Sequence, residues 1–232
     1  MSDTAEEYKR QAAERAVESV ASGMSIGLGH GTTAIYALRR LAVLLHQGAL
    51  QNLCCVPCSN KVEAEARQLG LPLTTLEEHP ELDLTIDGAD EVAPNLDVIK
   101  GGGGALLREK IVAQASRREI IVVDESKMTD VLGARSAVPV EVLPFGWRSQ
   151  YAYLEALGAR VSQRLQADQR PWVSDGGNFI FDCAFGPLAD PAALAEQLQA
   201  RAGIIQHGLF LGLASEVIVS GSAGIRRLTR DR

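Results

Sequence analysis

Short apolar runs alternate with longer amphipathic stretches through the first half of the chain. The runs are "MSIGLG", "LCCVP", "LDLTIDG", "LDVIKG" and "EIIVVDE". Apolar positions at helical spacing predict helices over residues 6–21, 32–47, 60–69 and 103–116. Strands separated by helices of this length need crossover connections. The pattern therefore predicts an α/β fold whose mostly parallel sheet has helices on both faces, as in Rossmann-like domains.

A different order of elements begins near Val138. Strand, helix, strand, strand, helix and strand follow one another, which is the split βαβ arrangement of ferredoxin-like domains. The later segment "EVIVSGSAGIRRL" returns to buried strand. We therefore expect an α/β catalytic domain of residues 1–137 and 208–232, and a small α+β domain of residues 138–207.

The net charge and the hydropathy of the chain argue against nucleic acid and membranes as its binding partners. The 232 residues carry a net charge of −6, whereas proteins that bind nucleic acid present a basic face. The polar N-terminus lacks a signal-peptide pattern, and no later run is long enough to span a membrane. These features predict a cytoplasmic protein with a small-molecule partner, no nucleic acid and no membrane.

Two short motifs each allow a structural explanation beside a chemical one. The turn "GLGHGTTA" places amides and the hydroxyls of Thr32 and Thr33 at a helix start, which suits a phosphate group, but a tight turn with a threonine N-cap explains it equally well. "CVPC" resembles a dithiol redox motif ahead of a helix. Buried strand cysteines are favoured, because no cysteine or histidine nearby completes a relay or metal set. We therefore expect no metal.

The segment "DGADEVAPNLDVIKGGGGALLREK" carries the densest set of chemical groups. Asp87 and Asp90 follow one strand, and Lys100 follows the next, so all three are expected at the ligand edge of the sheet. The four glycines after Lys100 allow the backbone to approach a ligand closely. Such a constellation is typical of a catalytic site.

The helix after the glycines is expected to direct one acid toward them. Leu107, Ile111 and Ala115 share an apolar face, whereas Glu109 lies on another and leans toward the glycine turn. A solvated charged face behind a glycine hinge would explain the charges of this helix taken alone. It does not explain two aspartates and a lysine at neighbouring strand ends.

Four motifs carry a family resemblance. "GLGHGTTA", "DGADEV", "KGGGGALLREK" and "VVDESK", in this order, resemble type A ribose-5-phosphate isomerase, and the likeness continues through "GIIQHGLFLGLASEVIVSG". The resemblance implies reversible conversion of D-ribose 5-phosphate to D-ribulose 5-phosphate in the pentose phosphate pathway. It also implies that no metal or organic cofactor is used, and that the protein is a homodimer or homotetramer.

The resemblance assigns roles to residues of this chain. The general base falls on Glu109. The chemistry of the isomerisation adds three catalytic residues: Lys100, which would stabilise the oxyanion, and Asp87 and Asp90, which would orient hydroxyls and assist ring opening. Substrate contacts are expected at His30, Gly31, Thr32, Thr33, Asp87, Gly88, Ala89, Asp90, Lys100, Gly101, Gly102, Gly103 and Lys127, with Lys9 as a further phosphate contact. A related sugar-phosphate isomerase or deaminase, or a non-catalytic sugar-phosphate sensor, remains an alternative.

The chain departs from the family pattern at His30, where a threonine is usual. Imidazole titrates with an unperturbed pKa of about 6.5, so His30 would add positive charge to the loop as the pH falls. The alternative is that His30 has no role in binding, fills space at the turn and points to solvent.

Overall fold

The structure, a computed structural model, describes residues 3–230. The helices within that range are α1 (Asp3–Val17), α2 (Ala34–His46), α3 (Asn60–Gln68), α4 (Leu106–Gln114), α5 (Trp147–Ala156) and α6 (Pro191–Gln199). The strands are β1 (Ser25–Leu28), β2 (Cys54–Pro57), β3 (Leu84–Asp87), β4 (Glu91–Val92), β5 (Val98–Ile99), β6 (Glu119–Asp124), β7 (Val138–Val142), β8 (Arg160–Gln163), β9 (Phe179–Ala184), β10 (Ile204–His207), β11 (Leu209–Phe210), β12 (Glu216–Gly221) and β13 (Gly224–Thr229). A 3-10 turn, Glu125–Lys127, follows β6.

The chain divides into two compact units. The first comprises Met1–Ala89, Arg108–Met128 and Gly212–Arg232, and the second comprises Asp90–Leu107 and Thr129–Leu211. Residues 90–107, 129–137 and 208–211 thus lie in the second unit, whereas the sequence assigned them to the first domain. The difference has a physical cause, because β5 pairs with β4 and β11 in a small antiparallel sheet and not with the strands of the large one.

The first unit is built on a six-stranded sheet in the order β13-β12-β6-β3-β1-β2. Its strands pair in parallel except β13, which lies antiparallel to β12 at one edge. The α/β prediction is confirmed. The core of this unit is formed by apolar side chains of strands and helices, including Ala12, Ala16, Leu38, Leu41, Ile26, Leu28, Leu84, Ile86, Ile120 and Ile218.

The second unit contains the predicted split βαβ arrangement. Its four-stranded antiparallel sheet has the order β10-β7-β9-β8, with α5 and α6 contributing to the core. Alternate residues of β7, Val138, Val140 and Val142, point into this core. Phe181 stands there against Tyr151, with the ring centroids 5.7 Å apart and the rings nearly perpendicular.

Helix α4 buries a different face from the one its apolar spacing predicts. Ile111 is 45% exposed, whereas Glu109 and Lys110 are 4% and 5% exposed. The shared face of Leu107, Ile111 and Ala115 is therefore not the buried one, and the alternative of a solvated charged face was wrong. Val112 is buried in the core of the first unit and packs closely over Gly27 of β1. A Cβ at Gly27 would lie only 2.6 Å from Val112 Cγ1.

No helix within residues 3–230 is both long enough and apolar enough to cross a membrane.

Candidate active site

Asp87 ends β3 and is fully buried against the loop that follows β1. Its Oδ1 accepts hydrogen bonds from the backbone N–H groups of His30, at 2.9 Å, and of Gly88, at 2.7 Å. A Cβ at Gly29 would lie 2.3 Å from the same oxygen, so only glycine allows the loop to approach so closely. The structure therefore brings together three of the predicted site residues, His30, Asp87 and Gly88.

The side chain of His30 is tied to the start of α3. Its Nδ1 lies 2.9 Å from Ser59 Oγ, and the same Oγ accepts a hydrogen bond from the N–H of Val62 as the N-cap of α3. The expectation that the His30 side chain only fills space and points to solvent was wrong, because its ring contacts Ser59. Sequence reasoning missed Ser59 as a partner. A serine before a helix signals a cap, but it does not say which distant residue it meets.

The two threonines of the loop differ in burial. Thr33 is buried at the N-cap position of α2, whereas Gly31 and Thr32 are exposed. Over the part of the chain that the structure describes, the Thr33 side chain makes no capping hydrogen bond. The prediction of a threonine N-cap for "GLGHGTTA" is therefore confirmed in position, although the Thr33 side chain adds no capping hydrogen bond.

Helix α4 carries two buried ionisable groups at successive positions. Glu109 lies in its first turn, where the helix dipole favours a negative charge. Burial lowers the pKa of Lys110 to about 7, and the nearby charge of Glu119 opposes that shift. A buried carboxylate at a helix start has the burial and the charge that a proton-transfer group needs.

Asp90, just before β4, and Lys100, just after β5, lie in the second unit at the same end of the small antiparallel sheet, where Glu91 pairs with Ile99. Asp90 Oδ2 accepts a hydrogen bond of 2.7 Å from the N–H of Gly102. Lys100 is buried, and its Nζ lies 5.4 Å from the centre of the Phe210 ring, a cation–π distance. The prediction that a strand of the parallel sheet carries Lys100 was wrong, because β5 belongs to the small sheet.

The glycine run after Lys100 is held by an arginine from the hairpin that follows β8. Arg164 Nη1 donates to the carbonyl oxygens of Gly101, at 2.9 Å, and of Gly102, at 3.2 Å. Its Nε donates to Asp182 Oδ2 at 3.0 Å. Nothing near Arg164 in the sequence marks this role, since the two glycines lie more than sixty residues away.

Two further residues of the predicted motifs are Glu91 and Lys127. Glu91, the third carboxylate of the dense segment, accepts hydrogen bonds from the backbone N–H groups of Gly133, Arg135 and Ser136, and so anchors that loop. Lys127 ends the 3-10 turn after β6 and is half-buried.

Both cysteines of "CVPC", Cys55 and Cys58, are fully buried, whereas a redox thiol has to be reached by its partner. Burial raises the pKa of the Cys55 thiol to about 12, the opposite of the shift that a reactive thiol needs. Among residues 3–230, no three histidine, cysteine, aspartate or glutamate side chains are grouped so that they could hold a metal ion.

Comparison with known proteins gives one consistent result. Residues 54–224 match the family model for ribose 5-phosphate isomerase A, also called phosphoriboisomerase A. The chain is 57% identical to ribose-5-phosphate isomerase A of Chloroflexus aurantiacus over 97% of this chain and 94% of that protein.

Solved structures agree. Ribose 5-phosphate isomerase from Plasmodium falciparum superposes with a TM-score of 0.94 at 38% identity, over 98% of this chain and all of that one. A D-ribose-5-phosphate isomerase in complex with phospho-erythronic acid superposes with a TM-score of 0.95 at 35% identity, over 97% of this chain and 99% of that one. The chain therefore belongs to the ribose 5-phosphate isomerase A family, and its activity is that of a ribose-5-phosphate isomerase.

Proposed function

We propose that this isomerase moves the carbonyl of D-ribose 5-phosphate from C1 to C2 through an enediolate, with Glu109 as the group that carries the proton. The carboxylate of Glu109 removes the proton from C2 of the open-chain aldose. The hydroxyl proton then passes from O2 to O1 and the carbon-bound proton returns at C1, and these two transfers give D-ribulose 5-phosphate and restore the carboxylate. The proposal rests chiefly on one observation, the burial of Glu109 in the first turn of α4.

The developing oxyanion needs a stabilising charge. Lys100 and the amides of Gly101, Gly102 and Gly103 are the groups proposed for this task, because a preorganised positive potential acts most strongly where water is excluded. The burial of Lys100 supports the assignment. Asp87 and Asp90 are proposed to orient substrate hydroxyls and to assist opening of the furanose ring.

The phosphate group is proposed to bind at the loop of His30, Gly31, Thr32 and Thr33, with Lys127 and Lys9 as cationic contacts. Backbone amides at the start of α2 and the exposed hydroxyl of Thr32 suit an anion. Phospho-erythronic acid, with which one similar isomerase was solved, carries a phosphate and a carboxylate. A carboxylate resembles the charge of the enediolate, so this acid is expected to inhibit competitively against ribose 5-phosphate.

The experiment that tests the mechanism is isomerisation in D2O followed by NMR. A proton that passes through a carboxylate exchanges with solvent, so the D-ribulose 5-phosphate formed should carry deuterium at C1. A direct hydride shift from C2 to C1 would leave C1 without deuterium and would overturn the enediolate proposal.

Glu109→Gln tests the base itself. The variant keeps the shape of the side chain but removes the proton acceptor, so kcat should fall by at least about 100-fold while the Michaelis constant changes little. Circular dichroism checks that the variant is folded. A variant that kept more than a tenth of wild-type turnover would move the base assignment to Asp87 or Asp90.

We further infer a cytoplasmic homodimer or homotetramer, on the family resemblance alone. Light scattering on the eluted peak of a sizing column measures the mass, and a monomer over the working concentration range would contradict the inference.

A further inference from the structure

Arg164, in the second unit, contacts both a carboxylate and the glycine run, and the mechanism proposed above gives it no role. It follows β8 and is 15% exposed. One edge of its guanidinium group faces Asp182, through Nε–Oδ2 at 3.0 Å and a second, shorter contact between Nη2 and Oδ1. This is the bidentate geometry that arginine makes with carboxylates, and it fixes the plane of the guanidinium group.

The remaining nitrogen of that group reaches the glycine run. Arg164 Nη1 donates to the carbonyl oxygens of both Gly101 and Gly102. Glycines have no side chains to hold them, and Gly101 has a φ of 103°, a conformation that other residues rarely adopt. Without an external contact, this stretch would sample many backbone conformations, and ordering it costs conformational entropy.

The peptide between Gly101 and Gly102 is held at both ends. Arg164 binds its oxygen, and Asp90 Oδ2 binds its N–H at 2.7 Å. In a planar trans peptide these two groups point in opposite directions, so two contacts define the orientation of the plane.

In the next peptide, between Gly102 and Gly103, Arg164 binds the carbonyl oxygen. Because Arg164 binds Gly102 O, the N–H of Gly103 in the same peptide points away from the guanidinium group. Gly103 is exposed, which leaves this N–H accessible to a ligand. A positive charge on the carbonyl side also polarises the peptide and strengthens the N–H as a donor.

We propose that Arg164, aligned by Asp182, is a positioning residue of the isomerase that orients and polarises the glycine-run amides toward the reacting oxygen of the substrate. The inference rests on the proposed role of these amides in stabilising the oxyanion. Arg164 itself does not touch the substrate. Its effect is therefore expected in the transition state and not in ground-state binding.

The test compares Arg164→Ala with Arg170→Ala. Arg170 is an arginine of the same hairpin, but it is 76% exposed and pairs with Asp168. Arg164→Ala should lower kcat by about 100-fold, the size of effect caused by misplacing a catalytic group by about 1 Å, while the Michaelis constant for ribose 5-phosphate stays within about threefold. Arg170→Ala should leave both constants close to those of the wild type.

Chemical rescue separates positioning from a structural role. Guanidinium ion in the millimolar range, far below denaturing concentrations, can occupy the space that the alanine leaves and bind the same carbonyls. If Arg164 positions the amides, guanidinium should raise kcat of Arg164→Ala several-fold and leave Arg170→Ala unchanged. If Arg164 only stabilises the hairpin, millimolar guanidinium should leave the kcat of Arg164→Ala unchanged, and that result would overturn the proposal.

A conservative variant covers the case in which Arg164→Ala does not fold. Arg164→Lys keeps the charge but loses the planar fork, so kcat should fall by about tenfold with little change in the Michaelis constant. A kcat equal to that of the wild type would overturn the positioning role. The outcome is independent of the proton-transfer proposal, because retained turnover in Glu109→Gln would reassign the base without restoring activity to the Arg164 variants.

Discussion

The backbone N–H of His30 and the carboxylate of Asp87 are joined by a hydrogen bond of 2.9 Å across 57 positions of sequence. The bond connects the loop that follows β1 to the last residue of β3. These are neighbouring parallel strands in which Leu28 pairs with Ile86. It lies at the carboxyl ends of the strands, the edge where open α/β sheets bind ligands. One carboxylate thus fixes the shape of the loop that is proposed to hold the phosphate group.

The first prediction concerns Gly29, which makes this bond possible. In Gly29→Ala, the new Cβ would lie 2.4 Å from Asp87 Cα, a backbone atom that cannot swing aside. We expect the free energy of unfolding to fall by about 1 to 3 kcal/mol and the Michaelis constant for ribose 5-phosphate to rise.

Gly48→Ala is the control for this prediction. Gly48 has a positive φ of 72° but open space around its Cβ position, so backbone strain is present without a clash. Urea unfolding and steady-state kinetics are measured on both variants. An alanine at position 29 with wild-type stability and wild-type Michaelis constant would show that the loop can move away from Asp87.

The second prediction separates the roles of two lysines. Lys100→Met removes a charge proposed to act on the oxyanion, so kcat should fall by an amount equal to about 2 to 4 kcal/mol of barrier. Lys127→Met removes a proposed phosphate contact, which acts equally on bound substrate and transition state, so the Michaelis constant should rise while kcat stays nearly unchanged. Steady-state kinetics on both variants measures the difference, and an unchanged Michaelis constant with a collapsed kcat in Lys127→Met would contradict this assignment.

Periodicity predicted most of the fold but not the pairing of its shortest strands. The apolar runs that became β1, β3 and β6 are long enough to be recognised, and so are the amphipathic helices between them. Strand β5 has two residues and pairs with β11, where Val98 stands opposite Phe210. Sequence pattern does not state which partner a strand will choose more than a hundred residues away.

In the candidate site, too, the sequence predicts what depends on local position but not what depends on tertiary contacts. The positions of Asp87 and Glu109, at a strand end and near a glycine turn, were enough to predict them as site residues, and their roles stay a prediction. Arg164 could not be identified, because its contacts with Gly101 and Gly102 depend on the tertiary fold. The burial of Glu109 and Lys110 was also missed, because charged residues are counted as exposed when a helix is read by apolar spacing alone.

The third prediction concerns the pH dependence of substrate affinity. His30 is held by Ser59, and protonation of its ring would add a positive charge to the loop proposed to bind phosphate. His30→Thr should therefore keep turnover but flatten the pH dependence of the Michaelis constant between roughly pH 5.5 and 7.5. The second ionisation of the substrate phosphate affects both proteins equally and cancels in the ratio of their Michaelis constants. Superimposable profiles would leave His30 with only its contact to Ser59.

The last prediction concerns stability and Lys110. Burial lowers the pKa of this lysine to about 7, while a lysine in the unfolded chain has a pKa of about 10.4. Between these values the unfolded state binds more protons than the folded state, so the free energy of unfolding should rise with pH. The limiting slope for one group is about 1.4 kcal/mol per pH unit. Below pH 7 the lysine is charged in both states, and its contribution no longer changes.

Lys110→Met isolates this contribution, because methionine keeps the apolar stem without the charge. The difference in free energy of unfolding, wild type minus variant, should become more favourable to the wild type from pH 7 to pH 10. Cys55, whose pKa burial raises to about 12, acts in the opposite direction above about pH 8.5, but it is present in both proteins and cancels. Lys61→Met, at an exposed position on α3, is the matched control and should give a flat difference. A flat difference for Lys110→Met as well would show that the lysine stays charged in the folded protein across this range, held by a partner such as Glu119.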